Sequence, residues 1–99
     1  MKSVLFHPEA EEEMLAAAQF YQERAEGLGA RFLTAVREAV ERISLHPKAS
    51  QVIHGRGVRG GAVRTFPYSV LYVERTADIL VLAVMHHRRR PSYWRERLS

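Results

Sequence analysis

A short segment in the second half of the chain carries side chains that could bind anions or exchange protons. This basic segment runs from His87 to Trp94 (HRRRPSYW) and directly follows another histidine, His86. Its three consecutive arginines offer planar sets of N–H donors that suit phosphate and carboxylate groups. Histidine changes charge near neutral pH, so either histidine could act as a general acid or base. The composition therefore permits anion binding, with or without proton transfer.

Positive charge is concentrated in the half of the chain that contains this segment. Residues 1–50 carry 6 Lys/Arg and 8 Asp/Glu, whereas residues 51–99 carry 9 Arg and 3 acids, and the whole chain has a net charge of +4. A basic half indicates an anionic partner, either nucleic acid or an acidic protein segment, and a solvated charged face is the alternative. Arg88–Arg90 favour a functional role, because adjacent like charges repel one another and need a counter-charge.

Composition and spacing disfavour several other kinds of site. The chain has no cysteine, which excludes disulfides, thiolate metal sites and a cysteine nucleophile. Successive residues of a strand face opposite sides, so His86 and His87 cannot point into one site, and they lack the helical spacing and carboxylates of a zinc site. The glycines of residues 55–61 follow no strand–helix crossover, as a phosphate-binding loop would require. We therefore predict no metal and no cofactor.

The N-terminal and apolar segments indicate where the protein resides. Residues 1–13 (MKSVLFHPEAEEE) contain only a three-residue apolar run before the acids, which is not typical of a signal peptide. The longest apolar run, Ile79–Met85, is far shorter than the roughly 20 residues that span a bilayer. We expect a cytoplasmic protein with no membrane partner.

The elements that must position the basic segment are predicted by hydrophobic periodicity and by helix-breaking residues. Pro8, followed by acidic residues, begins a first helix, and Pro47 stops a second helix that starts near Ala30. Only the short Gly27–Gly29 connection separates them, which predicts an antiparallel helix hairpin. Strands are predicted at Lys2–Phe6, Ala62–Thr65, Tyr68–Glu74 and Ile79–His86, with a loop over residues 48–61 and a short terminal helix over Pro91–Leu98.

The predicted element order, β-α-α-β-β-β, places the chain in the α+β class. The uninterrupted apolar run of the last strand indicates burial on both faces, and hence an interior position in the sheet. We expect a single domain over residues 1–99, with the helix hairpin packed on a mainly antiparallel four-stranded sheet.

Two motifs in the last strands and the basic segment resemble those of the RelE/ParE toxin superfamily, in particular its ParE-like branch. The first is Arg64–Tyr72 (RTFPYSVLY) and the second is Ala83–Trp94 (AVMHHRRRPSYW). Phe6–Ala10 and the Phe20–Tyr21 pair also fit, so the resemblance covers nearly the whole chain in the same element order.

The resemblance implies a function and a set of partners. Members of this superfamily are toxins of bacterial type II toxin–antitoxin systems, some known as plasmid stabilisation proteins, and each is held inactive by a cognate antitoxin. ParE-like members act on DNA gyrase, whereas RelE-like members cut mRNA on the ribosome. We expect an inhibitor of gyrase, with an inactive antitoxin-binding module as a further alternative. The expected target-binding residues are Arg88, Arg89, Arg90, Tyr93 and Trp94.

The RelE-like alternative requires a metal-independent endoribonuclease site, which needs a base, an acid and cations for the phosphorane charge. By the resemblance, Arg64 and Arg88 stand at matching positions and Tyr93 stands near the expected tyrosine. His87, or alternatively His86, could serve as the acid or base, which completes the candidate set Arg64, His87, Arg88 and Tyr93. Only Lys48 offers a lysine in the region where RelE-like enzymes place theirs, so we rank this function second. For Arg64, an ion pair with an acid of the helix hairpin is the simpler expectation, and for Trp94 it is packing on the sheet.

Overall fold

The helix hairpin forms much as its sequence predicts. The computed structural model describes residues 1–98, in which α1 spans Pro8–Arg24 and α2 spans Leu28–Leu45. The His7 side chain accepts a hydrogen bond from the backbone N–H of Glu9, and Pro8 occupies the first helical turn, where its missing N–H costs nothing. The connection is residues 25–27, two positions earlier than expected, and α2 begins at Leu28 rather than near Ala30.

Close approach of the two helices depends on Gly29. A Cβ atom added there would lie 2.5 Å from the carbonyl oxygen of Ala18 on α1. The Gln22 side-chain oxygen also accepts hydrogen bonds from the N–H groups of Gly27 and Gly29, which fixes the start of α2. Gly27 itself has a φ of 86°, in the left-handed region that glycine tolerates.

Gly29→Ala is expected to lower the free energy of unfolding by about 2 kcal/mol, because the added methyl meets backbone that cannot move aside. Urea unfolding followed by circular dichroism measures the change. Gly55→Ala is the matched control, because no heavy atom lies within 4 Å of its built Cβ, and it should shift stability by less than about 0.5 kcal/mol. Equal stability of the two variants would contradict the close-packing argument.

The sheet has five strands in the order β1-β5-β4-β3-β2. The only parallel pair within residues 1–98 joins β1 to β5, and the other neighbours are antiparallel. As the apolar run predicts, β5 is an interior strand of the sheet. The strands are β1 Ser3–Phe6, β2 Gln51–His54, β3 Val58–Val63, β4 Tyr68–Glu74 and β5 Asp78–His86, followed by a 3-10 helix over Arg95–Leu98.

The prediction of a loop over residues 48–61 and of four strands is wrong in two respects. Gln51–His54 forms a fifth, edge strand, and β3 runs over Val58–Val63 rather than Ala62–Thr65. Gly60 and Gly61 therefore lie inside β3, where sequence patterning treats glycine as a strand breaker. Each lies close to a bulky side chain. A Cβ atom added at Gly60 would lie 3.2 Å from a side-chain carbon of Leu71, and one added at Gly61 would lie 3.2 Å from a side-chain carbon of Ile43.

Apolar side chains pack on both faces of the sheet. On the helix face, the Phe66 ring meets the rings of Tyr21 and Phe32 edge-on, with centroids 4.9 and 5.1 Å away. The Tyr21 and Phe32 rings are tilted against each other at 5.3 Å, and Tyr72 is fully buried. The opposite face buries a second cluster, which includes Leu71, Leu82 and Trp94. No helix among residues 1–98 is both long and apolar enough to cross a membrane.

Candidate target-binding surface

The first residues of the basic segment are fixed by a turn at the end of β5. The backbone N–H of Arg88 donates to His86 Nδ1 at 3.0 Å, and that of Arg89 donates to the His86 carbonyl at 2.9 Å. The His87 N–H donates to the Pro67 carbonyl, and its Nε2 lies 3.0 Å from the hydroxyl of Ser69. The arginines are therefore displayed from an ordered backbone, and His87 is held against β4.

Trp94 anchors the other end of the segment and exposes little of its surface. Only 4% of its surface is exposed, and it packs with Val58, Leu71 and Leu82 on the sheet face opposite the helices. The expected packing of Trp94 on the sheet is confirmed, and its expected contact with a target stays a prediction. Indole burial at this position holds the segment against the sheet, as burial of a large aromatic surface usually does.

A buried ion pair, here termed the edge lock, joins the region after the basic segment to α1. Arg97 donates from both Nη atoms to the two carboxylate oxygens of Glu13, each at 3.0 Å, and its side chain is only 8% exposed. Arg97 also donates to the Leu82 carbonyl at 2.9 Å, while Glu13 accepts from the Val84 N–H at 3.1 Å. Besides binding each other, Arg97 and Glu13 thus each form a hydrogen bond with the backbone of β5.

The edge lock covers backbone that the sheet leaves unpaired. β1 stops at Phe6, which pairs with Val81, so β5 loses its neighbour on that side. Leu82 also has no partner on β4, because Leu71 pairs with Ala83 and Tyr72 pairs with Val81. Such a bulge leaves polar backbone groups that must find other partners, and Arg97 and Glu13 supply them.

Tyr93 lies between the edge lock and the exposed arginines. The guanidinium carbon of Arg89 stacks 4.0 Å from the Tyr93 ring centroid, and that of Arg97 lies 5.1 Å from it. Burial, together with the neighbouring Glu13 carboxylate, raises the pKa of the Tyr93 hydroxyl. Tyr93 therefore stays neutral at physiological pH and serves as a platform that orients Arg89.

Arg88, Arg89 and Arg90 are exposed, and none forms an ion pair with any residue of the described range 1–98. By contrast, Arg75, Arg97 and Lys48 all have carboxylate partners. The surface formed by Arg88–Arg90 and the Tyr93 ring thus concentrates positive charge that no ion pair among residues 1–98 neutralises.

A family model described as the ParE toxin of the type II toxin–antitoxin system parDE matches residues 4–91. The chain belongs to the ParE toxin family. A chain of the chromosomal ParDE TA system from P. aeruginosa has the same fold, with a TM-score of 0.65 and 20% sequence identity. The alignment covers 87% of the present chain and 96% of that one. No curated protein sequence matches.

Two of the four predicted ribonuclease residues, Arg64 and Tyr93, line different cavities of this ParE toxin. Arg64 lies in the turn after β3, not on the strand, and lines an open cavity of about 460 Å³ beside α2. Tyr93 and Arg89 line a different cavity of about 270 Å³ between α1 and the end of β5. Arg64 also forms no ion pair within residues 1–98, so the expected pairing with a helix acid is wrong, although Glu38 lines the same cavity.

The sequence gives little sign of the residues that support the surface of this ParE toxin. Glu13 is one of three consecutive acids near the start of α1, where acids are common because they favour the positive end of the helix dipole. Arg97 lies beyond the recognised motifs. The pairing of Glu13 with Arg97 follows only from the tertiary structure, which brings α1 next to the chain after β5. No group of three or more His, Asp or Glu side chains within residues 1–98 is arranged to hold a metal ion.

Proposed function

We propose that this ParE-family toxin inhibits DNA gyrase through the surface formed by Arg88–Arg90 and the Tyr93 ring. The observation that carries the proposal is that three consecutive arginines, all exposed and none in an ion pair within residues 1–98, follow β5 on a hydrogen-bonded turn. Unpaired cations steer an anionic partner towards them, and the stacking of Arg89 on Tyr93 already restricts one of the three side chains. An inhibitor of this kind needs a binding surface and no catalytic group of its own.

A cognate antitoxin would neutralise the toxin by covering this surface or the helix hairpin. The family match supports an antitoxin partner, because the family is described by its type II toxin–antitoxin system. An acidic antitoxin segment would supply the counter-charge that the arginines lack. Both the gyrase target and the antitoxin partner imply that the toxin acts in the bacterial cytoplasm.

The decisive experiment is a supercoiling assay with purified toxin and gyrase. Gyrase activity is expected to fall as toxin is added and to recover when the product of the adjacent gene is added first. Circular dichroism of the same toxin sample confirms that it is folded. Unchanged supercoiling at saturating concentrations of folded toxin would count against gyrase as the target.

Other outcomes identify the remaining candidates. Primer extension on translating ribosomes would reveal discrete mRNA cuts if the protein were a RelE-like endonuclease. The separation of Arg64 from Tyr93 into different cavities makes this the second candidate. Normal growth when the toxin is expressed without its neighbour would instead indicate an inactive antitoxin-binding module.

A further inference from the structure

The open cavity beside α2, here termed the α2 cavity, is lined by no residue of the basic segment. Its volume of about 460 Å³ lies within the range of cavities that bind small molecules. Ala35 is buried and Phe66 is half-buried, and both contribute apolar lining between α2 and the turn after β3. The Phe66 ring meets the rings of Tyr21 and Phe32 edge-on, which fixes its position. The cavity therefore offers a firm aromatic surface on which a flat apolar group can pack.

Two arginines without carboxylate partners line the α2 cavity. Arg31 belongs to α2 and Arg64 belongs to the turn after β3, and both are exposed. Neither forms an ion pair with any residue of the range 1–98. Guanidinium groups bind carboxylates through paired N–H donors in a fixed planar arrangement. An anionic group on a ligand in the cavity would thus find donors on two different elements of the fold.

The charge of the lining selects the kind of anion that fits. Glu38 also lines the cavity, so two guanidinium groups and one carboxylate give the lining a net charge of +1 at neutral pH. A ligand with a single carboxylate would neutralise this charge, whereas Glu38 would repel the second charge of a phosphate dianion. A cationic ligand would be repelled by both arginines. The lining therefore favours an apolar group that carries one negative charge.

Thr65, which lies between Arg64 and Phe66 in the chain, has a strained backbone. It belongs to the turn Val63–Phe66, in which the Phe66 N–H donates to the Val63 carbonyl at 3.4 Å. Its φ of 69° is in the left-handed region that β-branched residues rarely adopt and that asparagine or glycine tolerates. The Thr65 hydroxyl donates to the Arg64 carbonyl at 2.5 Å. Strain of this kind is common where a ligand is held, and here it fixes the backbone from which Arg64 extends.

We infer that the α2 cavity binds a small aromatic monocarboxylate, whose ring packs on Phe66 and whose carboxylate is bound by Arg31 and Arg64. The apolar lining supplies affinity, and the two arginines fix the orientation of the ligand. Glu38 discriminates against ligands with a second negative charge. The site is independent of the gyrase target, because the cavity includes no residue of the surface that was proposed to contact gyrase.

The test titrates the whole toxin with 2-naphthoate and follows its amide signals by NMR. Saturable shifts are expected over residues 30–38 and 64–66, with a Kd of about 1 mM, which is usual for a ligand of this size. Two related compounds separate the contributions of charge and ring. Naphthalene-2-methanol lacks the negative charge and acetate lacks the ring, and each is expected to bind at least about tenfold more weakly than 2-naphthoate.

Matched variants locate the site. Arg31→Gln and Arg64→Gln are each expected to weaken binding of 2-naphthoate by about tenfold. Arg37→Gln is the control, because Arg37 is also an exposed arginine of α2 but does not line the cavity. Glu38→Gln is expected to act in the opposite direction and to tighten binding about threefold, with a larger gain for the dianion 2-naphthyl phosphate. Circular dichroism of each variant confirms that the fold is intact.

Thr65→Asn tests the role of the strained turn. Its thermal unfolding midpoint is expected to rise by a few degrees, because asparagine tolerates the left-handed conformation better than threonine. Its binding of 2-naphthoate is expected to weaken about threefold, because the hydroxyl no longer holds the backbone of Arg64. A variant that is more stable and binds as well as the parent would count against the site.

Three results would overturn the inference: an equal loss of binding with Arg37→Gln, NMR shifts confined to residues outside the cavity, and equally tight binding of naphthalene-2-methanol. Sedimentation showing a dimer that Arg64→Gln dissociates would also overturn it, because a second copy of the chain would then occupy the cavity. The gyrase proposal fails separately. If 2-naphthoate binds as described but supercoiling is unaffected by the toxin, the ligand site stands and the gyrase target does not.

Discussion

A toxin with Arg88→Gln, Arg89→Gln and Arg90→Gln is expected to inhibit gyrase supercoiling about 100-fold less potently than the parent, because three exposed charge contacts of about 1 kcal/mol each are lost. The arginines form no ion pair with residues 1–98, so their replacement should leave the fold unchanged. The measurement is the concentration of toxin that halves supercoiling, together with the thermal unfolding midpoint. Growth after induction should recover in parallel.

A second triple variant separates local contact from overall charge. Arg24→Gln, Arg31→Gln and Arg37→Gln remove the same formal charge from exposed positions of the helix hairpin. If the basic segment contacts the target, these substitutions should change potency only a few-fold, and the change should fade as salt screens long-range steering. Equal losses from both triple variants would indicate steering by net charge and would contradict a contact surface at Arg88–Arg90.

Glu13→Ala is expected to lower the free energy of unfolding by about 3 kcal/mol, since it leaves a buried guanidinium without its main partner. The Arg97 side chain is only 8% exposed, and the Val84 N–H would lose its acceptor at the same time. Glu9, which lies 3.1 Å from Arg97 but is 60% exposed, compensates only in part. This loss is a large share of the roughly 5–15 kcal/mol that stabilises a typical domain.

A double-mutant cycle tests whether the edge lock acts as a unit. Arg97→Met combined with Glu13→Ala should cost less than the sum of the single variants, because neither charge is then left buried alone. The exposed Arg37–Glu41 pair, with an N–O distance of 3.9 Å, provides the control, and its removal should cost less than about 0.5 kcal/mol. Urea unfolding measures every corner of the cycle, and strict additivity would contradict the argument.

The elements with strong periodic patterns were predicted well. The bounds of β4 are those expected, β5 differs from its predicted strand by one residue, and the order of the helices is confirmed. The helices have apolar positions at helical spacing, whereas β5 is recognised by an uninterrupted apolar run that is buried on both faces. β2 has only four residues, half-exposed and next to a glycine-rich turn, so its formation depends on pairing with β3 rather than on its own sequence.

The position of the candidate target-binding surface could be predicted from the sequence, but the contacts that hold it in place could not. Composition and motif together identify the basic segment, because the charge run follows a recognisable apolar strand. The burial of Trp94 depends on the sheet face that the chain crosses after Ser92. Ser92 has a φ of 67°, a backbone conformation that the sequence pattern does not predict. The partnership of Glu13 with Arg97, 84 positions apart, depends wholly on tertiary placement.

The parallel pairing of β1 with β5 has a consequence for the order of folding. Ser3 pairs with Asp78, so β1 can join the sheet only after a loop of about 75 residues has closed. The antiparallel strands β2–β5 follow one another along the chain, and their contacts are mostly local. Local contacts form faster than distant ones, so the four-stranded meander should assemble first and β1 should dock late. Until β1 docks, the Asp78–Val81 side of β5 is an open strand, which makes the nascent toxin more prone to aggregate than the finished one.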